Sequence, residues 1–126
     1  MLLNWAKNRT AEWLAGNGTD YPTYMQIGSG SGTVVASQVE LLHTADRQPI
    51  TAVDGSTAYK VKWTTDWNSV VMSGLGNGNA FPLWEWGMCT SGTGTTGSMW
   101  SRTAMENAVN FDGTTELRIQ EQWEVY

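Results

Sequence analysis

Tyr59-Lys60-Val61-Lys62-Trp63-Thr64-Thr65-Asp66-Trp67 alternates without interruption. Tyr59, Val61, Trp63, Thr65 and Trp67 fall on one side, and Lys60, Lys62, Thr64 and Asp66 on the other. Successive side chains of a strand point to opposite faces, so period two over this run predicts a half-buried antiparallel strand. Residues 115–125 repeat the pattern, with Leu117, Ile119, Glu121, Trp123 and Val125 opposite Glu116, Arg118, Gln120, Gln122 and Glu124. Glu121 is the one charge on that apolar side, which puts it near a rim or beside a partner.

Outward from these two runs the chain reads as more strands joined by turns. Residues 81–89 form a strand, the Ser/Gly/Thr stretch 91–97 a long hairpin tip, and residues 98–105 the returning strand. Residues 48–53 are a further strand, and Asp54-Gly55 is a two-residue hairpin signal leading into the alternating run. Residues 69–72 read as a continuation of that run after a break. Residues 23–27 are a short β-prone segment closed by Gly28-Ser29-Gly30-Ser31-Gly32, read as a flexible loop. Residues 37–42 are read as a short helical turn.

Only the beginning of the chain looks helical in earnest. Leu3, Ala6, Thr10, Trp13 and Leu14 share a face at spacings of three and four, and Gly16-Asn17-Gly18 supplies a stop. About six to seven strands with one short N-terminal helix predict an all-β, antiparallel sandwich or barrel. At 126 residues one domain is expected, with residues 1–16 as the helix and 20–126 as the β-sandwich.

Composition narrows the function classes. The net charge is −5, and Lys60 with Lys62 is the largest basic grouping, so the concentrated positive footprint of a nucleic-acid surface is missing. No apolar run approaches the ~20 residues that span a bilayer, and residues 1–14 lack the unbroken apolar stretch of a signal peptide. Expectation therefore excludes nucleic acid and membrane as partners and places synthesis in a cytoplasm without export.

Catalytic chemistry finds no foothold. Nucleophilic catalysis needs a base beside its nucleophile, and His43 is the single His. Cys89, the single Cys, lies in an apolar strand where a thiol is usually inert. No ligand spacing for a metal is present, and Asp46, Asp54 and Asp112 read as turn residues. Glu85 and Glu121 resemble a glycosidase pair only superficially, and a position on the polar face or at a rim explains them better. No catalytic residue, metal or cofactor is expected.

The eight Trp against two Phe are the unusual number. Most belong in the core, and two or three are left for an interface or a ligand. Leu2, Leu3 and Trp5 lie beyond the predicted inward face of the helix. With Trp13 they are the candidate protein interface, and residues 1–15 are expected to be dispensable for folding. Trp84 and Trp86 are the candidate aromatic platform, with Trp63 and Trp67 as further members.

The order of these elements carries a resemblance. An N-terminal helix precedes Tyr21-Pro22-Thr23-Tyr24-Met25-Gln26-Ile27-Gly28-Ser29-Gly30-Ser31-Gly32 and then Ala36-Ser37-Gln38-Val39-Glu40-Leu41. The alternating strand follows, then Trp84-Glu85-Trp86-Gly87-Met88, a Ser/Gly/Thr tip, Met99-Trp100-Ser101-Arg102 and the closing Leu117-Arg118-Ile119-Gln120-Glu121-Gln122-Trp123. Nearly the whole chain thus resembles a group of small structural proteins encoded in the virion gene blocks of tailed bacteriophages. In that group a Pro-Thr-x-x-x-x-Gly-x-Gly strand and loop leads into a β-sandwich that ends in an alternating strand. This chain departs from the group in its wealth of Trp.

The resemblance implies a non-enzymatic, oligomeric virion component, either a capsid decoration (cement) protein or a tail, neck or baseplate part. Its partners would be the major capsid protein or tail proteins, and its location the virion, assembled in the host cytoplasm. A carbohydrate-binding module using exposed Trp is the alternative.

Overall fold

A computed structural model describes residues 1–16, 21–77, 79–90, 99–112 and 114–124. Helix α1 (Asn4–Leu14) is followed by strands β1 (Tyr24–Gly28), β2 (Thr44–Pro49), β3 (Ala52–Asp54) and β4 (Lys60–Trp67). Helix α2 (Ser69–Gly76) leads to β5 (Phe81–Cys89), β6 (Thr103–Phe111) and β7 (Leu117–Glu124). A four-stranded sheet, β2-β1-β5-β6, and a three-stranded sheet, β3-β4-β7, are both antiparallel, and the arrangement is an open sandwich. Among the described residues no helix is long and apolar enough to cross a membrane.

The alternating runs form the strands they predict. β4 pairs with β7 one to one, from Lys60 opposite Glu124 to Trp67 opposite Leu117. Trp63, Trp67, Leu117 and Ile119 from this sheet meet Met25, Ile27, Leu83 and Met88 from the other in one core. Tyr59 stands apart from its run. It precedes β4 with a φ of 65° and is exposed. The predicted two-residue hairpin at Asp54-Gly55 is a longer connection, because Asp54 pairs with Lys62 and residues 55–59 lie between the strands. Asp54 turns the chain by accepting from the Ser56 N–H and hydroxyl, and Asp112 does the same for Thr114.

The predicted strand over 48–53 is two strands in different sheets. Pro49 has no N–H to donate, so it can end an edge strand but not continue a ladder. The next two residues split between the sheets: Ile50 N donates to Thr23 O, and Thr51 N donates to Thr64 O. Asp46, expected in a turn, lies within β2 and accepts from the Trp67 indole N–H, which ties one sheet to the other.

Residues 69–72, expected as strand, belong to α2. The Asn68 side chain caps Val71 N, and Asn77 ends the helix in the left-handed conformation that Asn tolerates. The helical turn expected over 37–42 is instead irregular chain with one turn, closed by Gln38 N on Val35 O. The hairpin tip 91–97, residues 17, 18 and 98, Gly113 and Val125 all lie outside the described residues.

The N-terminal segment is a correction of substance. Leu3 and Ala6 are fully buried, and Leu2 and Trp5 are half-buried against the core. Leu3 N donates to Trp100 O, and Arg102 N donates to Met1 O, so residues 1–3 run as an extra partner of residues 100–102. Of the predicted inward face Leu14 fails, at 87% exposed, and Trp13 is exposed in part while stacking on Trp100. Fully burying a Leu is worth roughly 1.5–3 kcal/mol, and aromatic contacts from this segment add to it. Removing residues 1–15 should therefore unfold the β domain rather than leave it intact, read as loss of a cooperative thermal transition and of indole near-ultraviolet dichroism.

Candidate functional site

Two buried carboxylates organise the centre of the molecule, each held by partners. Glu85 in β5 is fully buried and pairs with the equally buried Arg102, its Oε2 2.8 Å from Nε. The same carboxylate accepts Gly30 N at 3.1 Å, Leu42 N at 2.9 Å and His43 N at 2.6 Å. Arg102 in turn donates from Nη1 to Gly32 O and to Gln38 Oε1. One ion pair thus gathers both ends and the middle of the segment between β1 and β2.

The glycines read as flexible serve this approach. A Cβ on Gly30 would lie 2.6 Å from Glu85 Oε1 and 2.5 Å from Leu42 Cβ, so no larger residue fits. His43 contributes its backbone N–H while its side chain is exposed, and Cys89 is buried in β5.

Glu121 in β7 is 8% exposed and faces the other way. Its oxygens accept from Ser101 Oγ at 3.0 and 2.8 Å and from Trp123 Nε1 at 2.8 Å. Burial pushes its carboxyl above the ordinary value, against the opposing pull of the Ser101 and Trp123 hydrogen bonds and of the Met1 amino group. Ser101 and Arg102 are neighbours in extended chain, so they reach opposite sides. Ser101 joins the two sheets through Glu121, while Arg102 holds the outer segment through Glu85.

The Trp residues divide differently from expectation. Trp100 is fully buried, stacked on Trp13 (centroids 5.1 Å apart, planes at 27°) and met edge-on by Trp5 at 5.1 Å. Trp123 lies 6.3 Å from Trp100 and 4.9 Å from Trp63, which joins five indoles in one chain. Trp67 is fully buried and Trp63 nearly so, and both belong to the core. Of the interface candidates, Leu3 is out of reach of solvent, Leu2 and Trp5 are half-covered, and Trp13 keeps 37% of its surface.

Trp84 and Trp86 do not form one platform. Leu83 faces Val109 while Glu85 faces Ala104, so β6 carries extra residues opposite Trp84 and the register steps there. Trp86 packs against the main core and Trp84 does not.

A cleft of about 520 Å³ opens where Trp86 and Trp123 approach the surface, with Glu121, Gln120, Gln122 and Thr103 among its walls. Sequence reasoning placed Trp86 in a candidate site but missed Trp123, which the alternation had assigned to the core side of the last strand. Among the described residues no three His, Cys, Asp or Glu side chains gather as a metal site. Glu85 and Glu121 are held by separate partners, Arg102 for the one and Ser101 with Trp123 for the other.

Two substitutions separate the roles of the carboxylates. Glu85→Gln leaves the Arg102 charge buried without its counter-ion, a change that costs about 3–5 kcal/mol. Chemical denaturation should show that loss, with faster amide exchange at Gly30, Leu42 and His43. For Glu121 the sign is opposite. Above about pH 4.5 the unfolded carboxyl ionises while the folded one still holds its proton, so stability falls as pH rises towards the folded value. Glu121→Gln should flatten that decline and match or exceed the parent protein at neutral pH, measured by urea melts from acid to neutral pH.

No protein-family model matches the chain, and no curated protein matches it in sequence.

Proposed function

We propose that this chain is a non-enzymatic structural component of a tailed-phage particle, acting through protein–protein contacts as a head decoration protein or a tail, neck or baseplate part. The observation that carries the reading is an apolar surface on a braced segment. Val35, Val39 and Leu42 are 49, 42 and 50% exposed, and all three lie between β1 and β2 on the stretch that Glu85 and Arg102 hold in place.

Docking a segment already fixed in shape loses little conformational entropy, so pre-organised apolar side chains favour binding more than the same residues on a mobile loop. The likeness of the sequence pattern to virion proteins supports the same reading. The buried acids support it too, since both have structural partners.

The test is assembly. The full chain should form a closed oligomer by mass photometry or co-sediment with phage particles or capsid protein. Val39→Asp combined with Leu42→Asp should abolish that association while changing stability by no more than about 0.5 kcal/mol, as exposed substitutions do. A stable monomer that sediments with no particle would sink the reading.

A further inference from the structure

We infer that the cleft beside β7 takes an extended segment of a partner protein, added to the sheet as a further strand. Of the strands that edge the two sheets, three are blunted. β2 ends in Pro49, β3 is only three residues long, and the register of β6 steps. Such features discourage pairing with another chain. β7 has none of them, since its eight residues pair one to one with β4 and none is Pro or Gly.

The free side of β7 follows from its partner. Thr64 O accepts from Thr51 N, so Thr64 turns its backbone towards β3. Neighbouring residues of a strand turn opposite ways, so Trp63 and Thr65 bond their partners in β7, Glu121 and Ile119. Arg118, Gln120 and Gln122 therefore turn their N–H and C=O away from β4, and among the described residues no backbone group meets them. This row runs into the cleft. Gln120 to Glu124 line it in unbroken sequence, which side chains on alternate faces achieve only through their shared backbone edge. N–H and C=O groups at strand spacing are matched by an extended polypeptide.

The opposite wall limits the occupant to one strand. Residues 100–102 lie between β5 and residues 1–3, and Ser101 reaches across the sandwich to Glu121. Residues 1–3 thus stand over the place beside β7, and Met1 and Leu2 line the cleft from that side. A second copy pairing its own β7 here about a two-fold axis would bring its residues 100–102 to where residues 1–3 already stand. A single segment meets no such conflict.

Charge sets the side chains of that segment. The Met1 amino group donates to Arg102 O at 2.8 Å, Glu121 holds Ser101 and Trp123, and Glu124 pairs with Lys60 at 3.1 Å. The charges at the cleft are thus matched within the protein, and the segment is uncharged. Its inward residues meet Trp86, Trp123 and Leu2 and are apolar, while its outward residues flank Gln120 and Gln122 and are polar. This surface shares no residue with the apolar segment at Val35, Val39 and Leu42, so the inference does not rest on the phage reading.

The experiment selects displayed heptapeptides on the full-length protein and titrates the strongest binder into ¹⁵N-labelled protein. Without peptide, the Gln120 and Gln122 amides should exchange with solvent faster than those of Ile119 and Glu121. The peptide, apolar at alternate positions, should slow them at least tenfold. N-methylation of the peptide residues that face β7 should abolish binding, and N-methylation of the intervening ones should not. Gln122→Pro, which removes one outward N–H, should weaken binding about tenfold, the equivalent of one hydrogen bond. Gln122→Ala should leave it unchanged, because that side chain lies on the outer face beside Glu124. The protein carrying Val39→Asp and Leu42→Asp should bind the peptide as the parent does.

Selection of no alternating peptide overturns the inference, as does binding indifferent to N-methylation at every position. Protection of Gln120 and Gln122 that grows with protein concentration in the absence of peptide also overturns it, and assigns the edge to a second copy.

Discussion

The pairing of Glu85 with Arg102 is the constraint on which the rest of the structure depends. Two charges fully removed from water are costly, and they persist only where attraction and hydrogen bonds together offset the loss of hydration. Here the carboxylate takes three backbone N–H groups besides the guanidinium, and the guanidinium reaches two further oxygens. A network of this kind specifies more than it stabilises. The segment between β1 and β2 has few buried apolar side chains of its own, with Leu41 the main one. Without the pair it would have little reason to lie against the sheet in a single conformation.

The influence of the pair spreads through its neighbours in the chain. Arg102 also exchanges backbone hydrogen bonds with Met1, and Trp100, two residues before it, accepts from Leu3 N. Ser101 between them turns inward to Glu121. Three consecutive residues therefore fix the N-terminal segment, the second sheet and the outer loop. The indole of Trp100 continues the same junction, touching Trp5 and Trp13 from the helix and Trp123 from β7. Each aromatic contact of this sort adds about 0.5–1.5 kcal/mol beyond the area it buries. The helix belongs to the core because the junction that closes the sandwich also closes over it.

How far this was legible depends on what the residues had to report. Strands β4 and β7 declare themselves by alternation, since one face is apolar and the other meets water. Alternation fails where both faces are covered. One side of β5 faces the sandwich and the other lies under the segment between β1 and β2, so Glu85 looked like a polar-face residue when it is the anchor of a second layer. The clue lay elsewhere, in Gly28 and Gly30 and in a lone Arg after Trp100-Ser101, and no periodicity joins residues so far apart. The strand read over 48–53 joined the end of β2 to the start of β3, because so short a run does not announce that the chain changes sheets after Pro49. α2 was missed because Val70, Val71 and Met72 favour a strand by propensity, whereas the Asn68 cap and tertiary packing make them helical.

The candidate site follows the same division. Trp86 was a candidate by residue type, but its companion was taken to be Trp84, two positions away on an ideal strand. The register step opposite Trp84 breaks that ideal geometry, and the second indole comes instead from β7, thirty-seven positions further along. The pair can assemble because β7 is the edge of its sheet and the β5–β6 ladder ends at Trp86 opposite Thr103. The apolar segment at Val35, Val39 and Leu42 lies across the other face of the four-stranded sheet, beyond the Glu85–Arg102 layer. A contact with another protein through that segment would leave the cleft open. The same buried network separates them, since it stiffens one surface without sharing a side chain with the other.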